Sequence, residues 1–405
     1  MLLSDFDYNL PEELIAQAPL ADRAASRMLV VDRRTGTWED RAFRDFPTYL
    51  HSGDCLVLND SRVFPSRLYG RREHGSGGRV EVFLTKQVSP DGLTWEALVR
   101  PGRKMRTGER IIVSEPRPEP RPFGQRPTNA VAGKGAVTNP DSSTLQPFKP
   151  RPSESGARNP IQVVTNRVPD GVSGSVSDNA LIVEILGRGA FGERTVRLRA
   201  TGDLYDTLDR VGHVPLPPYM RRADTPEDRD RYQTVFARER GSVAAPTAGL
   251  HFTPEIIDAC RNAGANIARV TLHVGLGTFQ PLRDEVVERA HLHSESFTVP
   301  DETVRAMDAA ARVVAIGTTS VRAIESQTLE STAETVHRSE TDLFIYPGFE
   351  FRRTGALLTN FHLPKSSLLV LVSAFAGREL MLAAYRHAVE QRYRFFSYGD
   401  CMLIL

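Results

Sequence analysis

The sequence predicts an α/β protein in which a mostly parallel, partial-barrel-like core is interrupted by an inserted small antiparallel β-barrel domain. Three observations carry this expectation. From Leu204 onward helical and strand patterns alternate, which favours parallel βα units. Between residues 61 and 199 short apolar runs alternate at period two, as half-buried strands do. Towards the C-terminus four polar, glycine-bearing stretches adjoin apolar runs: Ala245–Phe252 (APTAGLHF), His273–Phe279 (HVGLGTF), Gly317–Arg322 (GTTSVR) and Thr359–Ser367 (TNFHLPKSS). The last three follow runs that read as buried strands (Ile267–Leu272, Val313–Ile316, Ala356–Leu358), and the first opens a helix. Ligands bind outside the carboxyl ends of strands in such sheets, so the four loops are expected to line one site.

The elements follow in order. Residues 1–60 and 200–405 are assigned to the core and 61–199 to the barrel. Within the barrel, Arg79–Thr85, Thr94–Val99, Arg110–Val113, Ala180–Leu186 and Thr195–Arg199 read as strands, and Ser89–Gly92 (SPDG) as a turn between the first two. Single hairpins are marginal alone, so five or six such strands are expected to close. From 115 to 178 eleven prolines and six glycines occur with almost no apolar periodicity. Such composition cannot offset its ordering entropy, and the stretch is expected to be a disordered insertion. In the core, Thr253–Gly264 has a threonine N-cap, proline at the first helical position and glycine at its end. A second helix is expected from Asp301 to Arg312.

The 405 residues hold 51 basic against 50 acidic side chains, so overall charge gives no argument for nucleic-acid binding. A polyanion site must be a local patch. Residues 61–110 hold 11 basic and 5 acidic residues, enough for several phosphate contacts, with a solvated barrel face as the competing reading. Three scattered cysteines, Cys55, Cys260 and Cys401, fit neither a disulfide framework nor a zinc knuckle, and a reducing, cytoplasmic compartment is expected. The acidic N-terminus is unlike a signal peptide, the longest apolar run (Leu368–Ala376) is too short to span a bilayer, and no membrane location is expected.

Some motifs fail on inspection. Gly275–Gln280 lacks the third glycine of a dinucleotide loop, and Gly133–Lys134 is followed by Gly135 where a phosphate loop needs Ser or Thr. His291, His293 and Glu295 could bind a metal from one side of a strand. The alternative is a polar strand edge, and without further ligands no metal is assigned. The Gly317–Arg322 stretch is sharper, because hydroxyls and free N–H groups at a helix start form an anion site. Simple N-capping needs one hydroxyl, not Thr318, Thr319 and Ser320 in succession. His362 follows a strand and precedes a helix, where an imidazole could be exposed or structural. Asp400 could belong to the site or to a turn.

Taken together, Ser4–Gln17, Leu58–Val63 (LNDSRV), His213–Tyr219 (HVPLPPY), Tyr232–Phe236 (YQTVF), Pro246–Phe252, His273–Phe279, His293–Glu295, Gly317–Ser320, Asn360–Pro364 and Tyr398–Asp400 form a collinear set. It resembles the S-adenosylmethionine:tRNA ribosyltransferase-isomerase family of queuosine biosynthesis from residue 2 to the C-terminus. The insertion at 115–178 is longer than that family leads one to expect. The resemblance implies a monomeric cytoplasmic enzyme with no cofactor and no metal. Its substrates would be S-adenosylmethionine, as ribosyl donor, and tRNA carrying 7-aminomethyl-7-deazaguanine at the wobble position. The products would be epoxyqueuosine-tRNA, adenine and methionine.

Such chemistry needs a general base, an acid near adenine and an anion site for the methionine carboxylate. On this reading His273 and His362, facing one shared pocket, transfer protons, and Asp400 supports a cationic centre. The anion falls to Thr318, Thr319 and Ser320. His251, Gly275, Gly277, Thr278, Phe279, Arg322, Asn360, Ser366 and Tyr398 complete the substrate site. The tRNA falls to Arg67, Arg71, Arg72, Arg100, Arg103 and Lys104. A sugar-phosphate enzyme or a non-catalytic RNA-binding protein are the rival readings.

Overall fold

The computed structural model describes residues 1–74, 77–102, 105–114, 180–189, 192–275, 282, 284–329 and 339–405. In chain order the first elements are β1 (Arg27–Asp32), β2 (Thr37–Ala42), β3 (Asp54–Asn59) and β4 (Ser61–Val63). Six strands follow: β5 (Arg67–Arg72), β6 (Arg79–Gln87), β7 (Thr94–Arg100), β8 (Arg110–Val113), β9 (Leu181–Arg188) and β10 (Glu193–Ala200). The chain continues through α1 (Leu204–Val211), α2 (Asp228–Arg231), β11 (Glu239–Ser242), α3 (Pro254–Asn262) and β12 (Asn266–Leu272). Then come β13 (Glu295–Thr298), α4 (Asp301–Asp308), β14 (Arg312–Ile316), α5 (Thr318–Leu329) and β15 (Ser339–Thr341). The last are β16 (Thr354–Asn360), α6 (Ser367–Ala376), α7 (Arg378–Glu390) and β17 (Cys401–Ile404).

The core is a nine-stranded sheet in the order β15-β13-β12-β3-β14-β16-β17-β1-β2. Its centre, β12-β3-β14-β16, is parallel as the βα alternation predicts. All six residues of β3 are buried, the pattern of a strand covered on both faces. Alternation along it sends Cys55 and Val57 to one apolar cluster with α4–α7, and Leu56 and Leu58 to another with α3, Phe43 and Phe46. The flanking ladders are antiparallel except β17–β1, which is parallel. Two helices, α6 and α7, separate β16 from β17, so the chain comes back to the edge where β16 ends, and Cys401 pairs with Asn360. No single helix among the described residues is long and apolar enough to cross a membrane.

The inserted strands close into a barrel in the order β10-β7-β6-β5-β8-β9, every pair antiparallel. Its interior holds Trp95 against Phe64, with Leu68, Val82, Leu84, Val183 and Val196. The sixth strand, β5, is one that period-two reading passes over. Of its inward-facing residues Leu68, Gly70 and Arg72 only Leu68 carries an apolar side chain, and Gly70 leaves no room for a Cβ, which would fall 2.6 Å from Ile111.

The stretch expected to be a disordered insertion lies outside the described residues. Its flanks do not. Val113 and Leu181 are direct partners in the β8–β9 ladder, so the two chain ends emerge side by side. Opposed antiparallel residues lie about 5 Å apart, a gap that a short loop closes. Deleting residues 118–176 with a short Gly/Ser bridge should therefore leave the thermal midpoint near wild type. Loss of folding would show that the segment contributes packing.

Candidate functional site

The four parallel strands end on one side of the sheet, and their carboxyl ends present Asp60, His273, Gly317 and Phe361. The barrel stands against part of this edge and leaves a cleft of about 420 Å³. One wall is core: Gly241, His273, Val274, Gly275 and the 293–296 segment. The other is barrel: Thr85–Pro90, Glu96, Leu98 and Glu193.

The turn carrying His273 is pinned at three successive residues. The His273 N–H donates to the Ser296 carbonyl at 3.0 Å, Val274 N–H to Ser242 Oγ at 3.0 Å, and Gly275 N–H to a Glu295 carboxylate oxygen at 2.7 Å. Gly241, at φ +139°, lets the imidazole lie against backbone, since a Cβ there would sit 3.0 Å from the ring. Glu295 is in turn paired with Arg322 of α5, both about 5% exposed. Arg322 also donates to the carbonyls of Leu343 at 3.0 Å and Thr341 at 3.4 Å. A fixed imidazole over a cleft is the geometry that proton transfer requires.

The facing wall is rich in carboxylates. Lys86 of the barrel meets Glu340 of the core at 2.7 Å, and Ser294 donates to the same carboxylate at 2.8 Å, so one ion pair bridges the two walls. Glu193 is held above the usual carboxyl range by burial and by the like charge of Glu96, with His293 acting in the opposite sense. Glu96, Glu193, His293 and Ser294 belong to this cleft, and sequence reading did not single out the two barrel carboxylates. Their one signal is position: they are acidic residues on the outward face of strands in an otherwise basic segment.

The structure does not bring His273 and His362 into one pocket. They follow β12 and β16, which are three places apart in the sheet, about 14 Å at the usual strand spacing. The His362 ring is buried instead, its Nε2 meeting Thr359 Oγ1 at 2.9 Å, while its backbone N–H donates to the Tyr385 hydroxyl at 3.1 Å and its backbone carbonyl accepts from the Tyr8 hydroxyl. Burial pushes its pKa down to about 3. His251 lies in a second enclosed cluster. Its Nε2 faces the Asn360 amide nitrogen at 3.3 Å, and its Nδ1 faces Ser26 Oγ at 3.1 Å, so Nε2 accepts and Nδ1 donates. It too is pushed down to about 3, by burial first and then by Arg23 and Arg394.

These two histidines make stability depend on acid. In the unfolded chain each takes up a proton below about pH 6.5, whereas in the fold each stays neutral until about pH 3. Stability is thus complete above pH 6.5 and falls as pH drops through that window, by about 1.4 kcal/mol per unit for each ring. Between pH 7.5 and 5.5 urea denaturation should show a loss of about 3 kcal/mol. His251→Asn or His362→Asn should remove about half of that slope; a flat profile in wild type would contradict the burial of both rings.

The remaining predicted residues divide by what they touch. Gly275 lines the cleft. Gly317, at φ +90°, starts α5; Ser320 Oγ bonds back to the Ile316 carbonyl at 2.8 Å, while Thr319 Oγ1 is buried with no partner among the described residues. Thr318 is buried beside it, and Ala248 lies 3.6 Å from where a Cβ of Gly317 would be. The Asn360 side-chain oxygen is likewise buried without a partner among the described residues, while its nitrogen donates to the Phe396 carbonyl at 3.1 Å. Asp400 accepts the backbone N–H of Arg27 at 2.9 Å and of Arg394 at 2.8 Å, with the Arg27 guanidinium 3.6 Å away. That carboxylate ties the start of β1 to the Tyr393–Asp400 turn and does not line the cleft. Tyr398 donates to Asp228 at 2.9 Å. Asp228 is pushed down to about 2: burial opposes the shift, and the hydrogen bonds from Arg222, the Thr225 N–H and Tyr398 outweigh it. Ser366 caps α6, accepting from Leu369 N–H at 3.2 Å.

Gly277, Thr278, Phe279, Arg103 and Lys104 lie outside the described residues. His291, His293 and Glu295 do not converge: Glu295 is turned onto Arg322, and among the described residues no group of three or more His, Cys, Asp or Glu is placed to hold a metal. On the barrel, Arg67 pairs with Glu81 at 3.4 Å and Arg72 with Glu109 at 3.8 Å, while Arg71 and Arg100 are exposed.

Comparison with known proteins adds to this geometry. A family model described as "Queuosine biosynthesis protein" matches residues 3–404. The chain is 54% identical over 420 residues to the S-adenosylmethionine:tRNA ribosyltransferase-isomerase of Solibacter usitatus (strain Ellin6076), covering 100% of both. It is 44% identical over 409 residues to the protein of that name from Symbiobacterium thermophilum, again covering 100% of both. A crystal structure of S-adenosylmethionine tRNA ribosyltransferase from Thermotoga maritima is 33% identical, covers 99% of this chain and 100% of that one, and superposes with a TM-score of 0.47.

Proposed function

The chain belongs to the queuosine biosynthesis protein family, and from that premise we propose that it is an S-adenosylmethionine:tRNA ribosyltransferase-isomerase working at the cleft between barrel and core. It moves the ribosyl group of S-adenosylmethionine onto the aminomethyl nitrogen of 7-aminomethyl-7-deazaguanine in tRNA and isomerises it. Epoxyqueuosine-tRNA, adenine and methionine are the products.

One observation supports this reading above others: the cleft sets a pinned imidazole, His273, opposite a wall carrying Glu96 and Glu193. Both reactants are cationic there. S-adenosylmethionine carries a sulfonium, and the aminomethyl group is an ammonium until it gives up a proton. Carboxylates attract both charges across a low-dielectric gap. The sulfonium acidifies the neighbouring ribosyl C5′–H, so a base held at His273 removes that proton; the carbon's electron pair opens the C4′–O4′ bond, and O4′ becomes a C1′ carbonyl as adenine leaves C1′ with its bonding pair and takes a proton. The freed amine then adds to C4′, the regenerated C5′ carbanion closes onto the C1′ carbonyl, and the resulting C1′ alkoxide displaces methionine from C5′ to form the epoxide. Charge balances without a redox partner.

Thr318, Thr319 and the start of α5 are suited to the methionine carboxylate, as hydroxyls and N–H groups at a helix start are to any anion. On the same reading the protein is a cytoplasmic monomer. The test is product analysis with purified protein. Adenine and methionine should appear from S-adenosylmethionine only when tRNA bearing the aminomethyl base is present. A methylated nucleoside with S-adenosylhomocysteine would overturn the reading at its root.

A further inference from the structure

The barrel face beside the cleft carries features that the transfer chemistry leaves unused. Outward residues on β5, β6 and β7 fall into three rows by strand register. Arg67 opposes Phe83, which opposes Leu98; Tyr69 opposes Glu81, which opposes Arg100; and Arg71 opposes Arg79. Successive rows are two residues apart, about 7 Å. Leu98 is part of the cleft wall, so the three rows lead outward from it without a break.

Their chemistry is unusual for a solvated surface. Tyr69 is 48% exposed, and its ring stands edge-on to His213 with centroids 5.0 Å apart. His213 is locked from behind, by backbone bonds to Arg67 at 2.8 and 3.2 Å and by Asp224 at its Nδ1 at 2.9 Å. The tyrosine is therefore held rigidly at the junction of barrel and core, with nearly half its surface open. Arg67 covers Phe83 at 5.3 Å and is neutralised by Glu81. Arg71 and Arg79 differ: both are exposed, they stand directly opposite one another, and neither has an acidic partner among the described residues. Like charges facing across a ladder are unfavourable, and an anion between them relieves the repulsion.

We propose that this face is a binding platform for an unpaired RNA loop, in which Tyr69 stacks on a base, Arg71 and Arg79 hold phosphates, and the rows guide the neighbouring nucleotide into the cleft. The proposal rests on the RNA substrate of the reading above, and assigns it a surface. Single-stranded nucleic acid is bound by aromatic faces beside cationic tracks, and a single exposed ring in a basic stripe next to a reaction cleft has that composition.

The experiment measures affinity by fluorescence anisotropy. Its two probes are a labelled RNA hairpin whose loop contains the wobble base and a blunt duplex of the same stem. Tyr69→Ala should weaken hairpin binding about tenfold or more and leave the duplex unchanged. Tyr69→Phe should stay within about twofold, since stacking needs the ring and not the hydroxyl. Arg71→Glu with Arg79→Glu should lower the salt slope of log affinity by about one to two, roughly one for each phosphate that is no longer neutralised. Hairpin binding unaffected by Tyr69→Ala, weakened equally for the duplex, or absent in wild type would overturn the platform. Tyr69-dependent hairpin binding by a wild-type protein that releases no adenine would leave the platform standing and sink the proposed function. Adenine release with tRNA that is indifferent to all these variants would do the opposite.

Discussion

His273→Ala is expected to cut turnover by about a hundredfold or more while leaving tRNA affinity and the thermal midpoint close to wild type. The ring is only half-buried, and its position is set by backbone bonds at 273, 274 and 275 that an alanine retains. Removing it deletes the proton carrier without opening the core. His362→Ala supplies the contrast. That side chain is buried, its Nε2 bonded to Thr359 Oγ1, and it is absent from the cleft lining, so its loss should reduce stability while the folded fraction keeps its rate per molecule. Mass spectrometry of the wobble nucleoside, read against circular dichroism melts, separates the two. Near-normal modification by His273→Ala would make that histidine structural and move the base elsewhere on the cleft, with Glu193 first to be tried. A comparable loss of rate in folded His362→Ala would instead require the enclosed cluster to open during the reaction.

The contrast between these two histidines shows how far the sequence was legible. Short apolar runs mark β12, β14 and β16 and the loops at their ends, because burial on both faces writes itself directly into the chain, and apolar alternation does the same for half-buried strands. It also marks five of the six barrel strands. It passes over β5, because an arginine-rich strand with a glycine facing inward has almost no apolar period. Strand order is another matter. Nothing local in His273–Phe279 or Thr359–Ser367 says that two other strands separate them, and so two loops of similar texture, each with a histidine, look like parts of one pocket. The barrel side of the cleft is hidden for the same reason. Glu96 and Glu193 read as ordinary outward residues until docking of barrel on core turns their face into a wall. Asp400 and Ser366, read as candidate site residues, prove committed to holding backbone N–H groups.

The Glu295–Arg322 pair links the cleft turn to α5, and replacing one partner should damage both stability and rate. Arg322→Met leaves the Glu295 carboxylate buried without its counter-ion and strips hydrogen bonds from the Leu343 and Thr341 carbonyls. Breaking a buried pair in this way costs about 3 to 5 kcal/mol, which urea denaturation reads directly. Turnover should fall as well, because the carboxylate that accepts the Gly275 N–H has lost the guanidinium that aims it. The double variant Glu295→Leu with Arg322→Met separates the two effects. With both charges gone, the desolvation cost disappears and stability should return to within about 2 kcal/mol of wild type. Gly275 N–H now has no carboxylate to donate to, so the turn that carries His273 is loosened further. Misplacement of a reacting group by about 1 Å can reduce rate a hundredfold, and the double variant should therefore stay at least about tenfold slow in kcat with little change in KM for S-adenosylmethionine. Recovery of both stability and kcat in the double variant would reduce the pair to a packing element. Wild-type stability in Arg322→Met would mean that Glu295 sheds its charge at little cost, and that the turn is held by Ser296 and Ser242 alone.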